Sequence, residues 1–406
     1  MSDRSVALRA LSHPNFRLFI SGFAVSLIGT WIQSIAQSWL LYRLTKSEFY
    51  LGLATFCAHT PVLLLSPVAG LAADRFPRHR IVLLTQSLFL MQAVTLAWLT
   101  LSDKVTPTHV LTLAALLGCA NAFDIPARQS LMILLTSKED LLGAISLNSV
   151  AFNTARTLGP TIGGIFVAQL GEGVCFAVNA VSFLFVLFSL LRIRMPRTEP
   201  SQHANSGIAG GVRYAWSRPV IRNSLLLCGM MTLTNAPPLV LGPFIADGLF
   251  HRGSTGLGYI MAAFGAGATL GVVRIATQSS SAGMRGVAGR AAVLYALALV
   301  AFAVAPSFWF AVAASAGAGY AFFRQNAANN ALIQSVLDES YRGRVMSLYT
   351  MMAVGMLPIG GLISGSTAAL FGPRVVLAGA AVLAGAAAAA FLHYTRSMDS
   401  SECTAP

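Results

Sequence analysis

A succession of apolar runs, recurring from Phe16 to Tyr394, constrains this chain more than any other feature. Each run is near the roughly 20 residues needed to cross the hydrocarbon of a bilayer. Of the 406 residues, 55% are hydrophobic and 10% charged, against roughly a quarter charged in soluble domains. Most of the chain therefore cannot face water. Runs of this length satisfy their backbone groups in lipid as α-helices. Twelve spans account for the pattern: near 17–43, 50–73, 80–101, 107–131, 142–168 and 173–192, then 221–247, 255–276, 287–304, 306–334, 342–370 and 374–394. The expected class is an all-α polytopic membrane protein.

The net charge of +13 does not point to nucleic acid, because the charges are sorted by side. Of the 27 lysines and arginines, Arg43, Lys46, Lys104, Arg252 and Arg374 fall on one side, and Arg156 and Arg324 fall within spans. The rest lie on the other side, so both termini are expected to be cytoplasmic and the basic surface to face anionic lipid heads. Four of the five cysteines lie inside apolar runs at no metal or redox spacing and read as small hydrophobes. The polar, basic stretch 1–17 and the long first run argue against a cleavable signal peptide. No zinc, P-loop or nucleophile-elbow pattern is present, so no enzyme activity, cofactor or metal is expected. His59, in the second span, reads as a satisfied helix histidine.

The longest connection, Arg192 to Arg222, is arginine-rich and holds Pro196, Pro200, Gly207, Gly210 and Gly211. It predicts a linker (193–220) between two six-helix halves (1–192 and 221–396), with 397–406 a short tail. A short surface helix is expected over 207–217. The halves repeat each other. The stretch 118–131 aligns with 319–332 at an offset of 201, Leu158-Gly159-Pro160-Thr161-Ile162-Gly163-Gly164 is echoed by Met356-Leu357-Pro358-Ile359-Gly360-Gly361 at 197 or 198, and 46–52 by 253–258. Repeats of this kind place a binding site between halves near mid-membrane.

Between the second and third spans lies Gly70-Leu71-Ala72-Ala73-Asp74-Arg75-Phe76-Pro77-Arg78-His79-Arg80. It resembles the loop joining helices 2 and 3 in the major facilitator superfamily, Gly-x-x-x-Asp-Arg-x-x-Arg-x-Arg/Lys. The resemblance implies twelve helices in two pseudo-symmetric halves that rock about a central site. It also implies a gating latch of Gly70, Asp74, Arg75, Arg78 and Arg80 reaching the region of helix 11. The basic residues could instead serve topology alone. Phe76-Pro77 departs from the family pattern and leaves the local backbone open. The repeat counterpart near 276–286 has no acid.

Asp124 is the carboxylate clearly within a span, and an intramembrane carboxylate is costly unless paired or protonated. It is the proton-coupling candidate, with Arg156 and Arg324 as the membrane-depth bases that could neutralise it. A static ion pair between helices is the competing reading. Asn121, Asp124 and Arg128 share one stripe of the fourth span. Gln33 and Gln37, one turn apart, and Trp31 are expected to face a cavity. So are Asn235, with Met230 and Met231 beside it, and Gln325, Asn326 and Asn329 in the tenth span. Pro237-Pro238 must break backbone hydrogen bonds of the seventh span.

Gly159, Pro160, Gly163 and Gly164 resemble the Gly-Pro-x-x-Gly-Gly motif associated with exporters of the superfamily; close helix packing would use the same glycines. Stretches 10–19, 29–31 and 121–129 resemble the bacterial branch that contains the enterobactin exporter and related drug and siderophore efflux proteins. That resemblance implies an inner-membrane, proton-coupled antiporter, expected as a monomer, exporting a medium-sized amphipathic molecule. Uptake or lipid flipping on the same fold, and a non-transporting sensor, are the alternatives.

Overall fold

The structure, a computed structural model, describes residues 9–137, 139–193, 208–277, 283–338 and 341–403, apart from the side chains at 67, 73, 74, 208, 209, 276 and 396–403. Among them are thirteen α-helices, one π-helix and no strand. The first six are α1 (Pro14–Thr45), α2 (Glu48–Arg75), α3 (Arg78–Leu101), α4 (Pro107–Leu134), α5 (Leu141–Leu170) and α6 (Glu172–Arg192). A ten-residue helix, α7 (Ile208–Ser217), lies where a surface helix was expected. Then come α8 (Pro219–Val240), the π-helix (Phe244–Leu249), α9 (Gly253–Ala276), α10 (Met284–Ala303), α11 (Phe308–Val336), α12 (Arg342–Phe371) and α13 (Pro373–Cys403). Twelve of these α-helices have 20 residues or more. Nine contain a stretch long and apolar enough to cross a membrane. The three that fall short, α5, α8 and α11, carry Arg156, Asn235 and Arg324, and polar groups in spans mark functional sites. Residues 194–207, half of the predicted linker, lie outside the described residues.

The chain divides into two compact units. The first comprises Met1–Lys46, Cys57–Ala204 and Arg252–Ala262, so it takes in the start of α9. Its core packs Phe16, Phe19 and Phe23 of α1 against Leu131 of α4 and Val186 and Leu190 of α6. The second comprises Ser47–Phe56, Asn205–His251 and Ala263–Pro406 and takes in the start of α2. There an alanine ladder on α13 (Ala380, Ala384, Ala388) packs with Ala288 and Ala292 of α10 around the fully buried Tyr295. Small side chains bring helices close where no water is available to drive association.

The repeat offset reappears in local geometry. Thr106 caps α4 by accepting from the His109 backbone N–H, and Ser307, 201 residues on, caps α11 by accepting from that of Phe310. Such caps satisfy donors that helix starts leave open. Gly118 of α4 abuts the backbone carbonyl of Ala58, and Gly319 of α11 that of Phe264; a Cβ at either would collide with main chain. Likewise, a Cβ on Gly164 would lie 2.9 Å from the Cα of Gly258, and one on Gly365 2.9 Å from the Cα of Gly52.

The seventh span loses those hydrogen bonds and still stays helical. Pro237 and Pro238 lie inside α8, which runs on to Val240; the α-helix ends there, ahead of the π-helix. Each proline removes an N–H and frees the carbonyl four residues earlier. The Thr234 carbonyl, freed by Pro238, accepts from Tyr295 Oη at 3.2 Å. The Leu233 carbonyl, freed by Pro237, faces α12 where Gly360 has no side chain: a Cβ there would sit 2.7 Å from it. A hydroxyl and a glycine from neighbouring helices let the chain stay helical. The other proline in doubt, Pro77, caps the start of α3, and α2 runs unbroken to Arg75.

Candidate functional site

Asp124 sits on α4, 3% exposed. Three donors converge on its carboxylate: Thr85 Oγ1 at 2.8 Å and Gln86 Nε2 at 3.0 Å on Oδ1, and Arg128 Nε at 3.0 Å on Oδ2. The Arg128 pair spans one helical turn, the favoured separation for opposite charges. Its guanidinium also lies 5.5 Å from the Phe23 ring of α1. Thr85 and Gln86 come from α3, so the contacts on this carboxyl group tie α3 to α4 inside the first unit.

This corrects the expected pairing. Asp124 takes Arg128, not Arg156. Arg156, 6% exposed on α5, donates through Nη2 to Asn153 Oδ1 at 2.7 Å and lies over the Phe152 ring at 5.9 Å. Arg324 on α11 donates through Nη1 to Tyr320 Oη at 2.8 Å. The signal for Arg128 was present in the sequence as the i, i+4 spacing.

A second polar cluster crosses the first unit. Ser182 donates to Asn179 Oδ1 at 2.8 Å, Asn179 Nδ2 to Gln33 Oε1 at 2.8 Å, and Gln33 Nε2 to Gln92 Oε1 at 2.9 Å. Gln33 is therefore engaged by α3 and α6 and does not face a cavity, contrary to expectation. Asn179 and Gln92 were not singled out in the sequence, although polar side chains in apolar spans need partners of this kind.

In the second unit Asn235 is 5% exposed, and its Oδ1 lies 3.2 Å from Tyr295 Oη. Gln325 and Asn329 are fully buried, Asn329 donating to the Ser224 carbonyl at 2.8 Å. These three are likewise interior groups rather than cavity-lining ones. Asn326 accepts from Tyr349 Oη at 3.0 Å and keeps partial exposure, as do Trp31, Gln37 and Asn121. Those four remain accessible among the residues expected to meet a substrate.

The α5 motif packs α5 on its neighbours. Gly159 makes room for Trp31, whose ring meets Phe152 edge-on at 6.4 Å, and a Cβ at Gly163 would lie 3.1 Å from the Ile32 Cα. Gly164 accommodates α9, where Ser254 Oγ donates to the Gly164 carbonyl at 3.2 Å. In the α2–α3 loop, Arg75 and Arg80 are exposed and Arg78 half-buried at the start of α3. The side chain of Asp74 lies outside the described residues. A Cβ at Gly70 would meet nothing within 4 Å, so close packing does not require that glycine here.

Twelve long helices, sequence-repeated halves and intramembrane polar clusters define a major facilitator transporter. The chain belongs to the family described as transmembrane secretion effector, whose model matches residues 5–405. It is 25% identical to the Staphyloferrin A transporter of Staphylococcus aureus, over 88% of this chain and 90% of the relative. It is 24% identical to the multidrug efflux pump Tap of Mycolicibacterium fortuitum (84% and 86%). Identity to the enterobactin exporter EntS of Escherichia coli is 23% (89% and 87%). Among solved structures, it superimposes on the nucleoside transporter NupG with a TM-score of 0.70 at 17% identity, over 94% of this chain and 98% of that one. A bacterial homologue of the lysosomal transporter Spinster gives 0.75 at 14% (94% and 96%). These two likenesses show the fold alone.

Proposed function

We propose that this transporter exports a medium-sized amphipathic molecule, a siderophore or a drug-like secondary metabolite, by alternating access driven by a proton gradient. The observation that carries the reading is family membership along nearly the whole chain, with relatives whose names describe siderophore and drug transport. The accessible groups, Trp31 with the neutral amides of Gln37, Asn121 and Asn326, suit a partly apolar cargo better than a small ion. Both termini are taken as cytoplasmic, from the sorting of lysine and arginine, in a bacterial inner membrane, with the protein acting as a monomer in contact with membrane lipid. The predicted halves, 1–192 and 221–396, would be the rocking bodies.

For proton coupling, Asp124 offers a specific arrangement. A proton on the carboxyl would remove the charge that attracts Arg128 and so loosen the pair, and proton release would restore it. Asp74 with Arg75, Arg78 and Arg80 is the proposed cytoplasmic latch. The test is expression in cells that lack their own exporters: accumulation of catecholate or carboxylate siderophores and of antibiotics should fall, and a proton uncoupler should abolish the effect. Rising accumulation of a nutrient or a lysophospholipid instead would favour uptake or flipping.

A further inference from the structure

We infer that the second unit binds internal water between α8 and α11, at the repeat counterpart of the Asp124–Arg128 pair, and that this water joins the two helices. The inference concerns the interior of one unit and stands apart from the transport reading.

Gln325, Asn329 and Ser224 are fully buried. Four of their side-chain atoms have no hydrogen-bond partner among the described residues: Nε2 and Oε1 of Gln325, Oδ1 of Asn329 and Oγ of Ser224. The three residues lie together. Asn329 Nδ2 donates to the Ser224 carbonyl at 2.8 Å, which joins α11 to α8. Gln325 precedes Asn329 by one turn, the separation that makes side chains neighbours on a helix. Buried polar atoms in folded proteins are paired in the large majority of cases, with protein or with ordered water, and bare ones are costly.

The repeat shows what has changed between the units. At the offset of 201, Gln325 stands where Asp124 does and Asn329 where Arg128 does. In the first unit protein side chains satisfy the site, with Thr85, Gln86 and Arg128 all donating to Asp124. In the second unit the corresponding pair is neutral. Ala328, beside Asn329, packs in a core with Ala288 and Ala292 of α10 and Ala388 of α13. Those alanines bring neither a donor nor an acceptor, and their small side chains favour a small ligand.

The four atoms define that ligand. Gln325 Nε2 needs an acceptor, whereas Gln325 Oε1 and Asn329 Oδ1 need donors. The demand is the same whichever way the Gln325 amide is turned, because both of its ends are unpaired. A metal cation would serve the oxygens and be repelled by the amide N–H. An anion would serve the N–H and be repelled by the oxygens. A neutral molecule that both donates and accepts serves all of them, and water does so with about three hydrogen bonds to groups of this kind. Water would then do in the second unit what the Asp124 carboxyl group does in the first, where it ties one helix to the next.

A structure of the full chain in lipid nanodiscs, at a resolution where ordered water is visible in other buried sites, tests this directly. Density for at least one water is expected within about 2.7–3.2 Å of Gln325 and Asn329. No density there, with water seen elsewhere in the interior, overturns the assignment. Thermal unfolding in detergent gives an independent sign. Gln325→Met keeps the length of the side chain and removes both polar ends. With water in place the substitution breaks hydrogen bonds, and the melting temperature should fall by about 2–4 °C or more. With the atoms bare it would relieve a penalty, so a melting temperature at or above that of the wild type overturns the inference. The density of the wild type decides the matter if Gln325→Met does not fold. A wild-type melting temperature that rises when sodium replaces choline at equal ionic strength, with the rise lost in Gln325→Met, marks a cation site and overturns it too.

Discussion

Replacing Asp124 by asparagine keeps an acceptor for Thr85 and Gln86 but turns the group facing Arg128 into a neutral amide. The variant loses one charge-assisted hydrogen bond, worth about 1.5–3 kcal/mol. The Arg128 side chain is 25% exposed, so water recovers part of that, and a cost of about 2 kcal/mol is expected. For a cooperative unit of 150–250 residues this corresponds to a fall in Tm of about 4–8 °C. Arg128→Gln should be worse. It leaves a carboxylate whose side chain is 4% exposed with only two neutral donors, and stripping one partner from a buried pair costs about 3–5 kcal/mol. The double variant should return close to Asp124→Asn, because no charge is then stranded. Thermal unfolding in detergent ranks the three; Asp124→Asn proving less stable than Arg128→Gln would mean that Arg128→Gln strands no buried charge. In proteoliposomes, Asp124→Asn should exchange substrate across the membrane yet lose gradient-driven accumulation. Accumulation at the wild-type rate would remove Asp124 from the coupling.

Three further outcomes follow from the structure. Tyr295→Phe should cost about 1 kcal/mol by unpairing the Thr234 carbonyl, and much less in a Pro238→Ala background, where the helix regains its own donor; equal costs in both backgrounds would rule out the substitution of one donor for the other. Gly70→Ala should leave the melting temperature unchanged or slightly raised, as alanine favours helix, whereas Gly118→Ala, which drives a Cβ into the Ala58 carbonyl, should lower it markedly. Asp140, in the turn between α4 and α5, accepts from His13 Nε2 at 3.0 Å, and this contact, with Arg9 and Ser137, holds its carboxyl below the usual 3.8. Its depressed value adds stability above the unfolded pKa of about 3.9 that is lost as pH falls through the folded one. The melting temperatures of wild type and Asp140→Asn should therefore converge below about pH 4, and a gap that stays constant to pH 3 would contradict this.

Helix number and the surface helix over 208–217 were legible because apolar period and length fix them, and the repeat was legible down to its offset, now seen again in the Thr106 and Ser307 caps. The polar partners were less legible. Asp124 stood out as a buried carboxylate, but assigning Arg128 to the cytoplasmic surface hid a neighbour one turn away. Gln33 signals that it needs a partner without saying which; Gln92 and Asn179 lie 59 and 146 residues along the chain, and only the packing of α1 with α3 and α6 unites them. Pro237 and Pro238 predict lost hydrogen bonds, not their replacement by a tyrosine on another helix. The side chains that pay the cost of a broken pattern are remote in sequence.

Outward, proton-driven carriage of an amphiphile would show as substrate-triggered proton flux in proteoliposomes loaded with a pH dye. Adding a siderophore such as enterobactin or staphyloferrin A, or an antibiotic, to one face should move protons the opposite way at a rate that saturates with substrate. Substrate movement at the same rate with the proton gradient collapsed, or protons and substrate travelling in the same direction, would contradict it.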